Sequence, residues 1–155
     1  MAVARVEGAR LVTGGAAATE GKLAEGYFIQ PTIFDNVHNS MRIARDEVFG
    51  PVLSVIGFDT EEEALAIAND TTYGLAAGVW TQSLPRALRM ARELQAGQVW
   101  VNTYRQLAVQ APFGGFKDSG FGREKGEAAL GEYLASKNVM IDFSGEASDP
   151  FTVKT

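Results

Sequence analysis

The chain has 155 residues, 46% of them hydrophobic, and carries a net charge of -5 with an isoelectric point near 4.9. That length suits one domain with a real core, and an acidic balance without any basic cluster excludes a nucleic-acid binder. No apolar stretch reaches membrane-spanning length, the lack of a signal-peptide core makes the cytoplasm the expected location, and the absence of cysteine excludes disulfides, thiolate metal sites and a cysteine nucleophile within these residues.

Residues 1–7 have the pattern of the last turn or two of a helix whose beginning lies outside the chain, and Gly8-Ala9 breaks it. Residues 10–13 predict a short strand ending at Gly14-Gly15. Residues 16–25 are small and polar without periodicity, which predicts a surface loop. Residues 26–36 are extended, and Pro31 within them restricts the run to an edge strand or two short pieces. His38 stands alone in a polar turn and is given no role. Residues 40–44 predict a short helical turn.

Asp46-Glu47-Val48-Phe49-Gly50-Pro51 comes next. Gly-Pro is a strong break, and the apolar run 52–58 after it predicts a strand covered on both faces. Glu47 and Phe49 therefore sit on a connection feeding a sheet, a common place for ligand contacts. A carboxylate accepts hydrogen bonds from ribose hydroxyls, and a phenyl ring packs on a flat heterocycle. The plain alternative is a solvated Glu47 and a core Phe49.

Thr60 and Glu63 form a capping box opening a helix with Ala64, Leu65 and Ala68 as its apolar stripe. Asn69-Asp70 and Gly74 end it. Residues 75–81 predict a second buried strand. Ser83 caps the next helix, Pro85 is tolerated in its first turn, and Leu84, Ala87, Leu88, Ala91 and Leu94 recur at helical spacing. Gly97 is placed to stop it, and residues 98–102 predict a third strand. Strand, helix, strand, helix, strand predicts two right-handed crossovers and a parallel sheet. Ligands gather at the carboxyl ends of such strands, near Asn102 and Arg105. Asn102 either orients a neighbouring loop or ties down backbone, and Arg105 reads as solvated.

Residues 106–122 are glycine-rich. Gly120 is followed by Phe121, so the P-loop pattern fails, and Lys125 stands where a dinucleotide fingerprint needs its last glycine. What remains is an irregular loop in which backbone approaches something closely. Residues 124–136 predict a helix with Leu130, Tyr133 and Leu134 inward. Residues 137–143 alternate, with Val139, Ile141 and Phe143 on one side, and predict a terminal strand with an open edge. Residues 144–155 are polar and predict a loose tail.

Four strings carry a resemblance. Gly26-Tyr27-Phe28-Ile29-Gln30-Pro31-Thr32-Ile33-Phe34, Glu47-Val48-Phe49-Gly50-Pro51, Val99-Trp100-Val101-Asn102 and Pro112-Phe113-Gly114-Gly115-Phe116-Lys117-Asp118-Ser119-Gly120 are similar, in order, to signatures of the NAD(P)-dependent aldehyde dehydrogenases. The resemblance runs from about Gly8 to Phe143 and corresponds to the last third or so of a family enzyme. It implies an α/β fold with an open, mostly parallel sheet and flanking helices. Residues 1–136 would be the C-terminal portion of the catalytic domain, and residues 137–155 an oligomerisation strand, which in the family joins a sheet across the subunit interface, with its tail.

The resemblance also implies roles. Glu47 and Phe49 would hold the nicotinamide half of NAD or NADP, Glu47 through the ribose hydroxyls and Phe49 by packing. Phe113 would line the aldehyde tunnel, and Leu107 stands where the tunnel commonly has a second aromatic. Glu124 matches a glutamate implicated in proton release, although a glutamate at a helix start has a structural reason too. No residue is assigned to a metal. The family oxidises an aldehyde to a carboxylic acid through a cysteine thioester, using a nucleophile, an oxyanion donor and a base. These come from upstream segments, as does most of the dinucleotide domain. The chain alone is therefore expected to be inactive. Its expected partners are the missing upstream half or further copies of itself, and no membrane. The alternatives are one half of a split enzyme and a non-catalytic self-assembly module.

Overall fold

The computed structural model describes residues 1–145. The first group of elements holds α1 (Ala2–Val6), β1 (Arg10–Thr13), β2 (Thr32–Asp35), α2 (Arg42–Arg45) and β3 (Val52–Ser54). β2 is the centre of their sheet, antiparallel to β1 and parallel to β3. Side chains alternate across a strand, so Thr32 and Phe34 point into the core and are buried. Phe34 meets Ala4, Ala9, Val37 and Met41, with Leu11, Ile43, Val52 and Ile56 packed around them. The buried Thr32 hydroxyl accepts from Gly15 N–H and donates to the Gln30 carbonyl, both at 2.8 Å. The segment before β2 forms a separate short bridge, Ala17 to Ile29, so of the two readings of residues 26–36 the structure takes two short pieces. The expected loop over residues 16–25 contains a 3-10 turn at Gly21–Glu25.

The second group holds α3 (Glu61–Asn69), β4 (Tyr73–Gly74), β5 (Ala76–Val79), α4 (Leu84–Glu93), β6 (Gln98–Val101), β7 (Phe116–Lys117) and α5 (Leu130–Tyr133). Both predicted caps form. Thr60 Oγ1 accepts from Glu63 N–H at 3.1 Å, and the Glu63 carboxylate reaches back to Asp59 N–H at 2.8 Å. Ser83 Oγ accepts from Arg86 N–H. The inward face of α4 is Ala87, Met90 and Leu94, whereas Leu84 and Leu88 are exposed. In α3, Ala64, Leu65 and Ile67 are half-buried and Ala68 is exposed.

The molecule is α/β, with parallel pairing of β2 with β3 and of β5 with β6. The β5–α4–β6 crossover pairs as expected. The β3–α3–β5 crossover does not: among the described residues β3 pairs with β2 alone and β5 with β6 alone, so no ladder joins the two strands. The β2–β3 ladder continues as Val55 N–H donates to the Phe34 carbonyl at 2.8 Å and Val37 N–H to the Val55 carbonyl at 3.2 Å. The run 52–58 is also covered on one face only: Leu53, Val55 and Phe58 are exposed. β5 likewise alternates between exposed and half-buried residues.

The C-terminal expectations change most. Instead of a helix over 124–136 there is a 3-10 turn at Glu127–Ala129 followed by the single turn α5. Lys125 and Gly126 both take positive φ, which delays the helix. Leu130, Tyr133 and Leu134 are exposed rather than inward, because nothing among the described residues packs over them. Residues 137–143 form no strand, since a strand needs a backbone partner and the described residues offer none. Residues 146–155, most of the expected tail, lie outside the described residues. No described helix is long and apolar enough to cross a membrane.

Candidate functional site

The residues around Glu47 are set by what flanks them. On the N-terminal side, α2 ends at Arg45, whose guanidinium grips Asp70: Nη2 meets Oδ2 at 2.7 Å and Nη1 meets the Asp70 carbonyl at 2.8 Å. Asn39 joins the same knot by donating to the Ile67 carbonyl at 2.9 Å. Arg45 lowers the pKa of Asp70, chiefly through the hydrogen bond. On the C-terminal side, Gly50-Pro51 turns the chain into β3. Between them, Phe49 sits at φ 48° and is 92% exposed. Such a backbone conformation is uncommon for an aromatic residue.

Asp46 is taken up by Arg42 at 2.5 Å. Glu47 has no hydrogen-bond or ion-pair partner among the described residues. Glu47 and Phe49 line one open crevice of about 400 Å³, floored by Ile43, Ala44, Val52 and Ile56. The structure thus brings together the two residues singled out as a cofactor contact. Phe49 is not a core residue, which removes half of the plain alternative. Glu47 also borders a neighbouring cavity of about 480 Å³, whose far wall includes Tyr73, Asp118 and Ser119.

The glycine-rich loop closes on its own chain. A Cβ on Gly97 would lie 1.7 Å from the Gly114 carbonyl oxygen. Gly97 is therefore a contact glycine rather than the stop of α4, which is capped at Leu94. Phe113 and Glu124 exchange backbone hydrogen bonds at 2.7 Å and share a cavity of about 370 Å³ with Phe121, Arg123, Glu132 and Tyr133. The Lys125 ammonium sits 5.6 Å from the Phe113 ring centre, a cation–π distance. Leu107 is exposed and stands apart from that cavity. The Glu47–Phe49 and Phe113–Glu124 pairs line different cavities.

Asn102 ties down backbone: Oδ1 accepts from Thr81 N–H and Nδ2 donates to the Thr81 carbonyl, both at 2.8 Å. Arg105 and His38 are exposed. Among the described residues no group of His, Asp or Glu is placed to hold a metal.

Several polar residues that sequence reasoning passes over organise both regions. Arg123 Nη1 donates to the Gly115 and Gly122 carbonyls at 2.9 and 2.6 Å. Lys117 Nζ donates to the Asn69 and Thr71 carbonyls at 2.7 and 3.0 Å. Ser119 Oγ accepts from Gly74 N–H at 2.9 Å. The partners of Lys117 and Ser119 lie 45 to 48 residues away and the nearer acceptors of Arg123 are backbone carbonyls, so no local pattern marks them, although each side chain sits within or beside the glycine-rich run.

Comparison with known proteins places the chain among relatives. Residues 1–139 match the model of the aldehyde dehydrogenase family. The chain is 52% identical over 144 residues to acetaldehyde dehydrogenase 2 of Cupriavidus necator, covering 92% of this chain and 28% of the relative. It is 47% identical over 149 residues to betaine aldehyde dehydrogenase of Mesorhizobium japonicum, covering 96% and 30%. A crystal structure of Staphylococcus aureus betaine aldehyde dehydrogenase in complex with NAD+ superposes with a TM-score of 0.92 at 43% identity, over 98% of this chain and 30% of that one. Indole-3-acetaldehyde dehydrogenase from P. syringae, solved as a mutant with NAD+ and IAA, gives 0.81 at 55% identity, over 85% and 26%. The chain spans less than a third of the length of these relatives. Matched nearly end to end in sequence and in fold, it belongs to the aldehyde dehydrogenase family and resembles one portion of such an enzyme.

Proposed function

We propose that this chain is the C-terminal portion of an NAD(P)-dependent aldehyde dehydrogenase, residues 1–136 completing the catalytic domain and residues 137–155 serving assembly. The observation that carries the reading is the crevice shared by the unpartnered Glu47 carboxylate and the exposed Phe49 ring. This donor set fits a nicotinamide riboside: a carboxylate offers two acceptor oxygens to a vicinal diol, and an open ring offers a face to a flat heterocycle. When bound, the dinucleotide supplies the hydride acceptor for aldehyde oxidation. The NAD+ present in both solved neighbours supports a nicotinamide dinucleotide as the cofactor.

In this reading Glu47 orients the ribose and Phe49 packs against the nicotinamide. Phe113 lines the aldehyde tunnel, and Leu107, outside the cavity that Phe113 lines in this chain, stands at its entrance, which the smaller side chain reshapes. Glu124, beside Phe113, relays the proton released as the aldehyde becomes a carboxylic acid. The thioester-forming cysteine belongs to a segment outside these residues. The chain alone therefore leaves aldehydes unoxidised, since none of its 155 residues is a cysteine. A cytoplasmic location is compatible with this reading, since dinucleotide cofactors are intracellular metabolites. The exposed apolar run at Val139, Met140, Ile141 and Phe143 supports homo-oligomer formation, and it is equally what a non-catalytic assembly module would present.

The test is Glu47→Gln in a complete enzyme carrying this chain, read by NAD+ affinity and single-turnover hydride transfer. Loss of a charged hydrogen-bond acceptor is expected to cost about tenfold in cofactor binding or transfer rate. Unchanged kinetics and affinity would return Glu47 to a solvated surface role.

A further inference from the structure

Glu47 lies on a short span with one anchor at each end. The C-terminal anchor is β3, through Gly50-Pro51. The N-terminal anchor is not secondary structure, since α2 is a single turn of four residues. It is the Arg45 side chain. Its guanidinium reaches the Asp70 carboxylate through both terminal nitrogens, at 3.1 and 2.7 Å, and also bonds the Asp70 and Asn39 carbonyls. Asn39 Nδ2 donates to Asp70 Oδ2 at 3.2 Å, closing the ring of contacts. Isolated surface ion pairs contribute little, but a planar guanidinium held by both oxygens of one carboxylate and by two carbonyls fixes a geometry.

Asp70 caps the end of α3, so the knot joins the first group of elements to the second. It does so two residues before Glu47 and beside the cavity whose opposite wall is Tyr73, Asp118 and Ser119. Phe49, by contrast, is nearer the β3 anchor.

We propose that Arg45 and Asp70 form a latch that sets the position of the Glu47 carboxylate, making both of them positioning residues for the ribose contact. The proposal rests on the cofactor role given to Glu47 above. The latch acts on Glu47 more than on Phe49, so its loss weakens the ribose contact selectively.

The experiment compares ADP-ribose with ADP in a complete enzyme carrying this chain, by titration calorimetry. The two ligands differ by the terminal ribose, so the ratio of their Kd values isolates contacts beyond the pyrophosphate. Glu47→Gln reports whether the cofactor reading holds. Arg45→Met and Asp70→Asn are each expected to shrink the ratio about fivefold, with ADP affinity unchanged. Arg45→Lys keeps the charge without the fork and is expected to fall between wild type and Arg45→Met. A drop for Glu47→Gln with no drop for the latch variants would overturn the latch and leave the cofactor reading standing. No drop for Glu47→Gln would overturn the reading and the latch together. Equal weakening of ADP and ADP-ribose in the latch variants would mark a merely structural pair and also overturn the proposal. Should Arg45→Met fail to fold, Asp70→Asn and Arg45→Lys carry the same comparison.

Discussion

Phe113 and Glu124 hold each other by their backbones: each N–H donates to the other's carbonyl at 2.7 Å. This narrow antiparallel pair pinches the glycine-rich loop shut at its base. Both residues also line one cavity. Because the bonds are made by main chain, side-chain substitutions at either position leave the pinch in place. The roles proposed for them, tunnel lining and proton relay, are therefore separable by side-chain substitution. In a complete enzyme, Phe113→Ala should raise the aldehyde KM by about tenfold, the scale on which a pocket discriminates by apolar packing, with NAD+ affinity unchanged. Glu124→Gln should instead lower kcat by a factor of about 100, leaving the aldehyde KM within about twofold. Steady-state kinetics with both substrates varied distinguish the two, and a Glu124→Gln enzyme of normal kcat would remove the proton-relay role.

A second expectation concerns Gly97. A methyl group there would meet the Gly114 carbonyl oxygen at 1.7 Å, and the obstacle is backbone rather than a movable side chain. Gly97→Ala must push the loop away from the β4–β6 region, where Gly97 N–H donates to the Gly74 carbonyl at 3.0 Å. Overpacking of this kind costs about 3 kcal/mol. Urea denaturation of the chain should show the midpoint falling accordingly. A stability within error of wild type would mean that the loop has no fixed seat on Gly97.

What is legible in the sequence divides by range. The caps at Thr60 and Ser83 and the break at Gly50-Pro51 depend on neighbours a few residues away, and they stand where the pattern puts them. The β5–β6 pairing is a local crossover and also forms. The crevice shared by Glu47 and Phe49 follows from a signature on a connection feeding a strand. Burial is harder to read. The apolar runs at 52–58 and 75–81 have the pattern of strands covered on both faces, but the second face needs a partner layer, and these residues supply only the first. Met90 escapes the pattern because Leu84 and Leu88 offer an equally periodic stripe. The polar fasteners Arg45, Lys117 and Arg123 leave no trace in the local sequence. Their acceptors are mostly backbone carbonyls, which every residue carries.

Acid should loosen the fold. The Arg45 hydrogen bond holds the pKa of Asp70 below the ordinary aspartate range. Arg86, and then Arg89, do the same to Glu61. A carboxyl whose pKa is lower in the folded than in the unfolded chain contributes stability above its unfolded value and loses it as the pH falls toward the folded one. Stability should therefore hold from neutral pH down to about 5 and decline below about 4. Asp70→Asn cannot titrate, so its stability should be lower at neutral pH and change less on acidification. Urea midpoints at a series of pH values check this, and an acid limb as steep in Asp70→Asn as in wild type would show that the Arg45–Asp70 pair is not part of it.

The last expectation is self-association. Val139, Met140, Ile141 and Phe143 are each at least 65% exposed, and their backbone N–H and C=O groups make no ladder among the described residues. Exposed apolar side chains on an unpaired extended segment are a ready template for another chain, and contiguous apolar surface of this kind marks interaction sites. The alternation of apolar residues at 139, 141 and 143 gives the segment one face to bury once it is paired. Strand addition between copies would satisfy the backbone groups and that face together. Proline at position 141 removes the ladder donor on the edge its N–H would face, and its fixed φ distorts the extended backbone on either edge, whereas Ile141→Val leaves the backbone intact and removes only one methylene. If backbone pairing drives assembly, Ile141→Pro should raise the dissociation constant by at least about tenfold and Ile141→Val by less than about threefold, since a ladder bond and its neighbours together exceed the transfer energy of one methylene. Sedimentation velocity across a wide concentration range provides the measurement. A monomer at every concentration would reject the idea outright, and equal effects of the two substitutions would assign the association to side-chain contact instead of strand pairing.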